Sequence, residues 1–421
     1  MKIILIILCS CFSLSAFAQE KTTLSSEQIK NYTQSFDLIK KSYIKPVPDQ
    51  VLIENSIKGM LSSLDPHSSY LSEEDLEQLQ ATTQGHFGGL GIEVARQHNY
   101  IKVISPIDDT PAQQAGIKAG DLITQINGQS SKGMELIEAI KLMRGKPGSK
   151  IKLTIFRNQT GQSLDFHITR AIIKVDSVKQ RLLSPHYGYI RIARFQANTA
   201  KELTKALARL ARQSAPLAGL VLDLRNNPGG TLESAVQVSD FFLGDGLIVY
   251  TKGRVSDANM RFHANKTNTF NAGLPIVVLI NGGSASAAEI VAGALQDHKR
   301  AVIMGTPSFG KGSVQSIIPL DNKKAIKLTT ALYYTPKGRS IQAEGIKPDI
   351  LVEALQFTLA KEGPSTKEAN LPGHLSQNKS ATTNDPLKSE NDELINRDFQ
   401  LYEAVNLLKG LNALKKDPLD S

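Results

Sequence analysis

PIVVLINGGSASAAEIVAGALQD, from Pro275 to Asp297, is the stretch on which the fold turns. Pro275 to Ile280 is an unbroken apolar run, as expected of a strand buried on both faces. It breaks at Asn281-Gly282-Gly283, and a helix starts at Ser286 with Glu289 in its first turn and Ile290, Val291 and Leu295 on its apolar face. Further strands are predicted at Tyr187–Arg194, Gly219–Leu224, Leu247–Tyr250, Val302–Gly305 and Ile326–Tyr334, and helices at Ala200–Arg212 and Leu232–Leu243. Strands alternating with helices predict an α/β core over residues 172–355, with a largely parallel sheet whose sites gather at strand C-termini.

Three turns in this core carry candidate chemistry. A serine at a strand-to-helix turn lies beside unpaired backbone amides and the positive end of a helix dipole, a good place to stabilise an oxyanion. On this ground Ser284 and Ser286 are equally eligible. FGKGSVQ, Phe309 to Gln315, sets Lys311 between two glycines, and serine with a neutral lysine is a nucleophile-base pair. Bringing a lysine from about 10.4 to ~7–8 costs roughly 4 kcal/mol, which burial can supply. Phe309, Val314 and Ile317 are expected to desolvate Lys311, and Gln315 to orient its amine without adding charge. Asp223-Leu224-Arg225-Asn226-Asn227-Pro228-Gly229-Gly230 ends another strand, and its glycines free amides where a carbonyl oxygen can be held. The plainer alternatives are a helix-capping serine, a surface lysine and an ordinary glycine turn.

Spacing removes several rivals. GTPSFGKG, Gly305 to Gly312, nearly fits a phosphate-binding loop, but Gly312 replaces the magnesium-holding Ser or Thr and an extended segment follows. A GxSxG elbow is absent. The eight histidines form no HExxH or other ligand cluster, so no metal is expected. His298 would lie roughly 18 Å along the helix from Ser286 at 1.5 Å per residue, too far to act as base.

The 421 residues are 41% hydrophobic and 21% charged, ordinary for a multidomain globular chain. Its net charge of +9 is scattered among acids with no basic stripe, which argues against nucleic acid as a partner. Lys2, the apolar run Ile3 to Leu14 and Ala16-Phe17-Ala18 read as a secretory signal peptide over 1–18, predicting export to the periplasm or beyond. Leu8-Cys9-Ser10-Cys11 faintly resembles a lipoprotein box, the route to membrane association. Both cysteines lie in this segment, so the mature chain would lack thiols and disulfides. Residues 19–84 read as a helical cap or dimerisation arm, with capped starts at Ser25 and Ser72, and His67 as a turn residue. Residues 356–392 read as a polar linker, and 393–421 as a last amphipathic helix that docks back or joins a dimer contact.

From 85 to 171 the texture changes to short alternating strands, a helix at Met134–Met143 and an Asn-Gly turn. Gly88-Gly89-Leu90-Gly91-Ile92, Gly120-Asp121-Leu122-Ile123 and Ile126-Asn127-Gly128, in this order, resemble a circularly permuted PDZ domain. A PDZ domain receives a peptide C-terminus on glycine-rich amides beside an edge strand. Gly89, Leu90, Gly91 and Ile92 are therefore its candidate contacts, with Arg144 a further one.

LDPHSSYL, FGGLGIEV, LDLRNNPGG, NGGSASAAEIVAGALQD, FGKGSVQ and GRSIQAEGIKPDI follow one another between Leu64 and Leu351. In combination they resemble the C-terminal processing (tail-specific) peptidases. The resemblance implies a crotonase/ClpP-like α/β peptidase core with an inserted PDZ domain and an N-terminal helical arm. It places the nucleophile at Ser286, the base at Lys311 and its positioning glutamine at Gln315. It places the oxyanion donors at Ala287 and at Gly229 or Gly230. Ala288 stands where many members carry another serine. The implied function is an exported serine endopeptidase that needs no cofactor or nucleotide and acts on substrates bound through their C-termini. The dimerisation arm points to a homo-oligomer, and the resemblance implies activity that awaits a ligand or an activating or adaptor protein. Two other readings compete: a PDZ scaffold on a dead peptidase fold, and acyl transfer from coenzyme A, for which no nucleotide-holding feature is present.

Overall fold

The computed structural model describes residues 24–355 and 398–414, apart from 98, 108, 175, 214–215, 266–269 and 322. The signal segment and the linker 356–392 lie outside the described residues. The chain divides into two units, Met1–Pro66 and His67–Ser421. In the first unit, α1 (Ser26–Ser42) starts in a capping box between Ser25 and Gln28, and α2 (Asp49–Ser62) follows the helix-breaking Pro46 and Pro48.

The second unit opens with β1 (Ser69–Leu71) and α3 (Glu73–Gln84) and then enters the PDZ domain. There β2 (His86–Gly89) pairs antiparallel with β9 (Ala171–Lys174), so the domain's two ends leave together. Between them run β3 (Ile92–Gln97), β4 (Tyr100–Pro106), α4 (Pro111–Gln114), β5 (Leu122–Ile126), β6 (Gln129–Ser130), α5 (Leu136–Met143), β7 (Lys150–Arg157) and β8 (Gln162–Thr169). The sheet order is β3-β4-β5-β7-β8, which leaves β3 at an edge. Period-two alternation in β7 buries Ile151, Leu153 and Ile155 against Ile101, Val103 and Ile123.

The core continues with β10 (Val178–Ser184), β11 (Tyr187–Ile192), α6 (Thr199–Gln213), β12 (Gly219–Asp223), α7 (Leu232–Phe242), β13 (Leu247–Gly253), β14 (Arg261–His263), β15 (Ile276–Ile280) and α8 (Ala287–Asp297). It closes with β16 (Val302–Gly305), β17 (Ser313–Pro319), β18 (Ala325–Tyr334), β19 (Ile350–Leu351) and α9 (Phe399–Ala413). The main sheet, β10-β11-β12-β15-β16-β19, is parallel from β11 to β19. Its alternation divides two cores. Leu220, Leu222, Val278 and Ile280 pack with residues of α6, α7 and α8, whereas Val221, Val277 and Leu279 pack with Leu401, Ala404, Val405 and Leu408 of α9.

One expectation changes. The strands from Leu247 and Ile326 leave the parallel sheet and form a second, antiparallel one, β1-β18-β13-β14 with β17 on β18. The reason is amphipathicity: β12 and β15 are buried at every position, while β18 keeps Lys327 and Thr329 half-buried, as a sheet with one wetter face requires. The first unit ends at Pro66, and β1 beyond it pairs in register with β18, Ser69 opposite Lys327. The last helix docks back on its own sheet through α9.

One polar cluster ties α9 to the sheet. Asp223, fully buried at the end of β12, accepts from Tyr189 (2.7 Å), Arg191 (3.3 Å) and the Arg225 side chain (2.7 Å). Burial opposes its charged form, but the hydrogen bonds and charge of Arg225 outweigh that and hold its carboxyl below the usual range. Because the folded value is depressed, this stabilisation is fully present above the ordinary carboxylate pKa of about 4 and is lost as pH falls through the folded value. We expect Asp223→Ala to cost about 3 kcal/mol in urea denaturation at neutral pH, since it removes the buried acceptor shared by Tyr189, Arg191 and Arg225. The gap to wild type should narrow on acidification.

Candidate active site

β15 ends at Ile280, and the chain turns through Asn281 before α8 starts. Asn281 closes the turn on itself: its Oδ1 accepts from Gly283 N (3.0 Å), and its own N–H donates to Ser284 Oγ (3.0 Å). Ser284 is fully buried and its Oγ donates to Leu224 O at 2.8 Å, so this hydroxyl is spent on holding the turn to β12. Ser286 instead lines a cleft of about 870 Å³. Its backbone sits at φ 58°, ψ −115°, a conformation L-residues avoid and one that costs of order 1–3 kcal/mol. Strain of that kind is maintained where the surrounding structure over-determines it.

Glu289 is what over-determines it. The side chain is fully buried on α8, and its carboxylate accepts four hydrogen bonds. Oε2 takes Ser286 N (2.7 Å) and Lys311 N (2.9 Å), while Oε1 takes Gly310 N (2.6 Å) and Ser308 Oγ (2.6 Å). One carboxylate thus fixes the backbone of both Ser286 and Lys311. The lysine turn is clamped from other sides as well. Gly312 N donates to Gln342 Oε1 (2.9 Å), Ala343 N donates to Gly310 O (2.8 Å), and the Tyr333 hydroxyl donates to Lys311 O. Burial pushes the Tyr333 phenol well above its ordinary pKa, so it stays a neutral hydroxyl beside the Ser286 side chain.

Lys311, Gln315, Ser286 and Ala287 all line the cleft, together with Gly229 and Gly230. A β-bulge between Val314 and Gln315 breaks the β17–β18 register beside the site. Gln315 Nε2 donates to Ser313 Oγ (2.9 Å) and Thr329 Oγ1 (3.3 Å), which leaves Oε1 as an acceptor. The expected apolar coat on Lys311 is thinner than the sequence suggests. Phe309 and Ile317 are 63% and 42% exposed, so Val314 is the member of that set left half-buried. Both residues sit where the lysine turn and the β17 strand open to solvent.

The glycine turn abuts the serine turn. A Cβ on Gly229 would lie 2.7 Å from Ser286 Cβ and 3.0 Å from Ala287 N, and Gly229 takes φ 96°, so a side chain there is excluded twice over. Its N–H donates to Asn227 Oδ1 at 2.9 Å. Among the described residues, Gly230 N and Ala287 N have no such acceptor; Ala287 is the first residue of α8, where helical amides are orphaned. Asn226 and Asn281 cross-link the two turns, N–H to Oδ1 at 2.8 Å and Nδ2 to Oδ1 at 3.0 Å.

Gly89, Leu90, Gly91, Ile92 and Arg144 all line a separate groove of about 250 Å³, between the edge strand β3 and α5. Leu90 O accepts from Ala112 N (2.9 Å), and Gly91 O from Ile107 N (2.8 Å) and Thr110 Oγ1 (3.2 Å), so the carbonyls of this turn are pinned back. Apolar Phe87, Ile140 and Met143 complete the groove. The Arg144 guanidinium stands 4.8 Å over the Phe87 ring, and burial and the charge of Arg194 lower its pKa. Arg194 in turn lines the cleft beside Ser286.

Sequence reasoning left Glu289, Tyr333 and Gln342 without roles. Glu289 carried a readable signal, since a carboxylate inside the apolar run of α8 must be buried with partners. Tyr333 and Gln342 arrive from distant segments and carried none.

Comparison with known proteins agrees with this geometry. Peptidase family S41 matches residues 186–352, the PDZ domain 88–168, and the "Activating protease CtpB N-terminal domain" 12–75. The carboxy-terminal-processing protease of Bartonella bacilliformis is 47% identical over 94% of this chain and 93% of its own. CtpA of Bacillus subtilis, a carboxy-terminal processing protease, is 36% identical over 80% of this chain and 72% of its own. The carboxyl-terminal-processing protease of Synechocystis is 36% identical over 82% and 84%. With its α/β core, PDZ domain and N-terminal helices, the chain belongs to peptidase family S41 and is a C-terminal processing serine protease.

Proposed function

We propose that Ser286 and Lys311 form a Ser-Lys dyad that cleaves polypeptides near their C-termini. The observation that carries this reading is the single carboxylate of Glu289 holding both residues' backbones at one cleft. Ser286 Oγ attacks the peptide carbonyl while neutral Lys311 takes its proton. The tetrahedral oxygen is held by Ala287 N–H and Gly230 N–H; Gly229, whose amide is occupied, serves the close packing of the two turns. Collapse breaks the C–N bond, Lys311 returns the proton to the leaving amine, and water hydrolyses the acyl-enzyme with Lys311 again as base. Gln315, anchored through Nε2, offers Oε1 to the lysine amine.

The groove between β3 and α5 takes the substrate C-terminus as an added strand, with its carboxylate on the Gly89–Ile92 turn. Coupling to the cleft runs through Arg144 and Arg194, and through α3, which lines the cleft and leads directly into β2. A C-terminal ligand or adaptor protein would act on this connection to gate activity. Exposed Ile29, Leu38, Ile39, Val51 and Met60 on α1 and α2 support a homodimer through the N-terminal helices. The basic, apolar and small-residue order of 1–18 supports export to the periplasm, with a mature chain starting near Gln19.

Hydrolysis of unstructured polypeptides by wild type, Ser286→Ala and Lys311→Ala tests the dyad. Both variants should lose at least about 10³-fold in kcat, and equal cleavage by all three would sink the mechanism. Amidating the substrate C-terminus should raise KM or abolish activation, and indifference to amidation would remove the PDZ role while leaving the dyad. Since only neutral lysine accepts the proton, kcat/KM should rise with pH through an ionisation of the free enzyme. A profile flat from pH 6 to 10 would contradict that role.

A further inference from the structure

Arg225 sits on the turn that leads to Gly230, and its guanidinium is shared between two carboxylates. One is Asp223, two residues back, reached by Nε (3.0 Å) and Nη2 (2.7 Å). The other is Asp398, the N-cap of α9, reached by Nη1 and Nη2 at 2.7 Å each. Gln400 adds Oε1 at 3.0 Å and is itself anchored by Nε2 to Val352 O at 2.7 Å. The Arg225 backbone is fixed too, its N–H on Asp223 Oδ1 (2.9 Å) and its carbonyl accepting Arg191 Nη2 (3.1 Å). The next residue, Asn226, is the one cross-linked to Asn281 of the serine turn.

We propose that α9 is a working part of the active site: Asp398 positions Arg225, and Arg225 holds the turn that presents the oxyanion donors. Asp398 and Gln400 are positioning residues, acting through Arg225 and never touching substrate. A planar guanidinium held by two carboxylates has one orientation; held by Asp223 alone it keeps two bonds but loses the second anchor. Oxyanion donors depend on placement, and a misplacement of about 1 Å costs on the order of 10²-fold. The inference rests on the oxyanion assignment made above.

The test uses the full chain with Asp398→Asn, which keeps the cap and the apolar face Leu401, Ala404, Val405 and Leu408 while removing the charge. We expect kcat to fall about tenfold with KM little changed. Affinity for a peptide boronate, whose tetrahedral oxygen occupies the oxyanion site, should fall in parallel. Asn412→Ala, which loosens the far end of α9 at Ala218 O (2.8 Å) without reaching Arg225, should leave kcat near wild type. Wild-type kcat and boronate affinity in Asp398→Asn would overturn the proposal, as would an equal loss in Asn412→Ala. If Asp398→Asn fails to fold, Gln400→Ala carries the same test, with a smaller fall in kcat and boronate affinity expected and no change in either overturning the proposal. Ser286→Ala run alongside separates the two claims: an active Ser286→Ala refutes the dyad, whereas a dead one beside a wild-type-like Asp398→Asn refutes only the strut.

Discussion

The site depends on one buried carboxylate. Glu289 is fully buried with four donors, and its oxygens are divided between the serine turn and the lysine turn. A buried ion of that kind is costly unless every lone pair is used, and here the two turns are its solvent. The consequence is geometric. Neither Ser286 nor Lys311 can shift without breaking a charge-assisted hydrogen bond, so the strained backbone of Ser286 is paid for by a residue one helical turn away.

Around that centre the fold supplies two further constraints. The parallel sheet delivers the ends of β12 and β15 side by side, which is why the glycine turn and the serine turn meet and can be cross-linked by Asn226 and Asn281. The antiparallel sheet brings β18 up from the other side, so that Tyr333 reaches the lysine carbonyl and Thr329 reaches Gln315. Active-site residues therefore come from three separate stretches, each rigid for its own reason.

Much of this was legible in the sequence. The unbroken apolar runs of β12 and β15, the Asn-Gly-Gly break and the alternating PDZ strands each have a direct physical reading, and the ordered motifs marked Ser286, Lys311 and Gln315. Between the candidates that sequence left open, contacts differ: the Ser284 hydroxyl donates to Leu224 O and the Gly229 amide to Asn227 Oδ1. Sheet membership was misread because a short strand with apolar ends looks alike in either sheet until its partners are known. The place of α9 was unreadable, because Asp398 meets Arg225 across 173 residues of chain with no local signal. The apolar letters around Lys311 misled for a simpler reason: Phe309 and Ile317 are exposed.

The central claim is that Ser286 is nucleophilic because Lys311 is held beside it. Labelling by a fluorophosphonate, mapped by mass spectrometry in wild type, Lys311→Ala and Glu289→Gln, reads this without any protein substrate. The account predicts a single adduct on Ser286 that disappears in Lys311→Ala and forms more slowly in Glu289→Gln. An adduct on Ser284, or undiminished labelling of Ser286 in both variants, would contradict it.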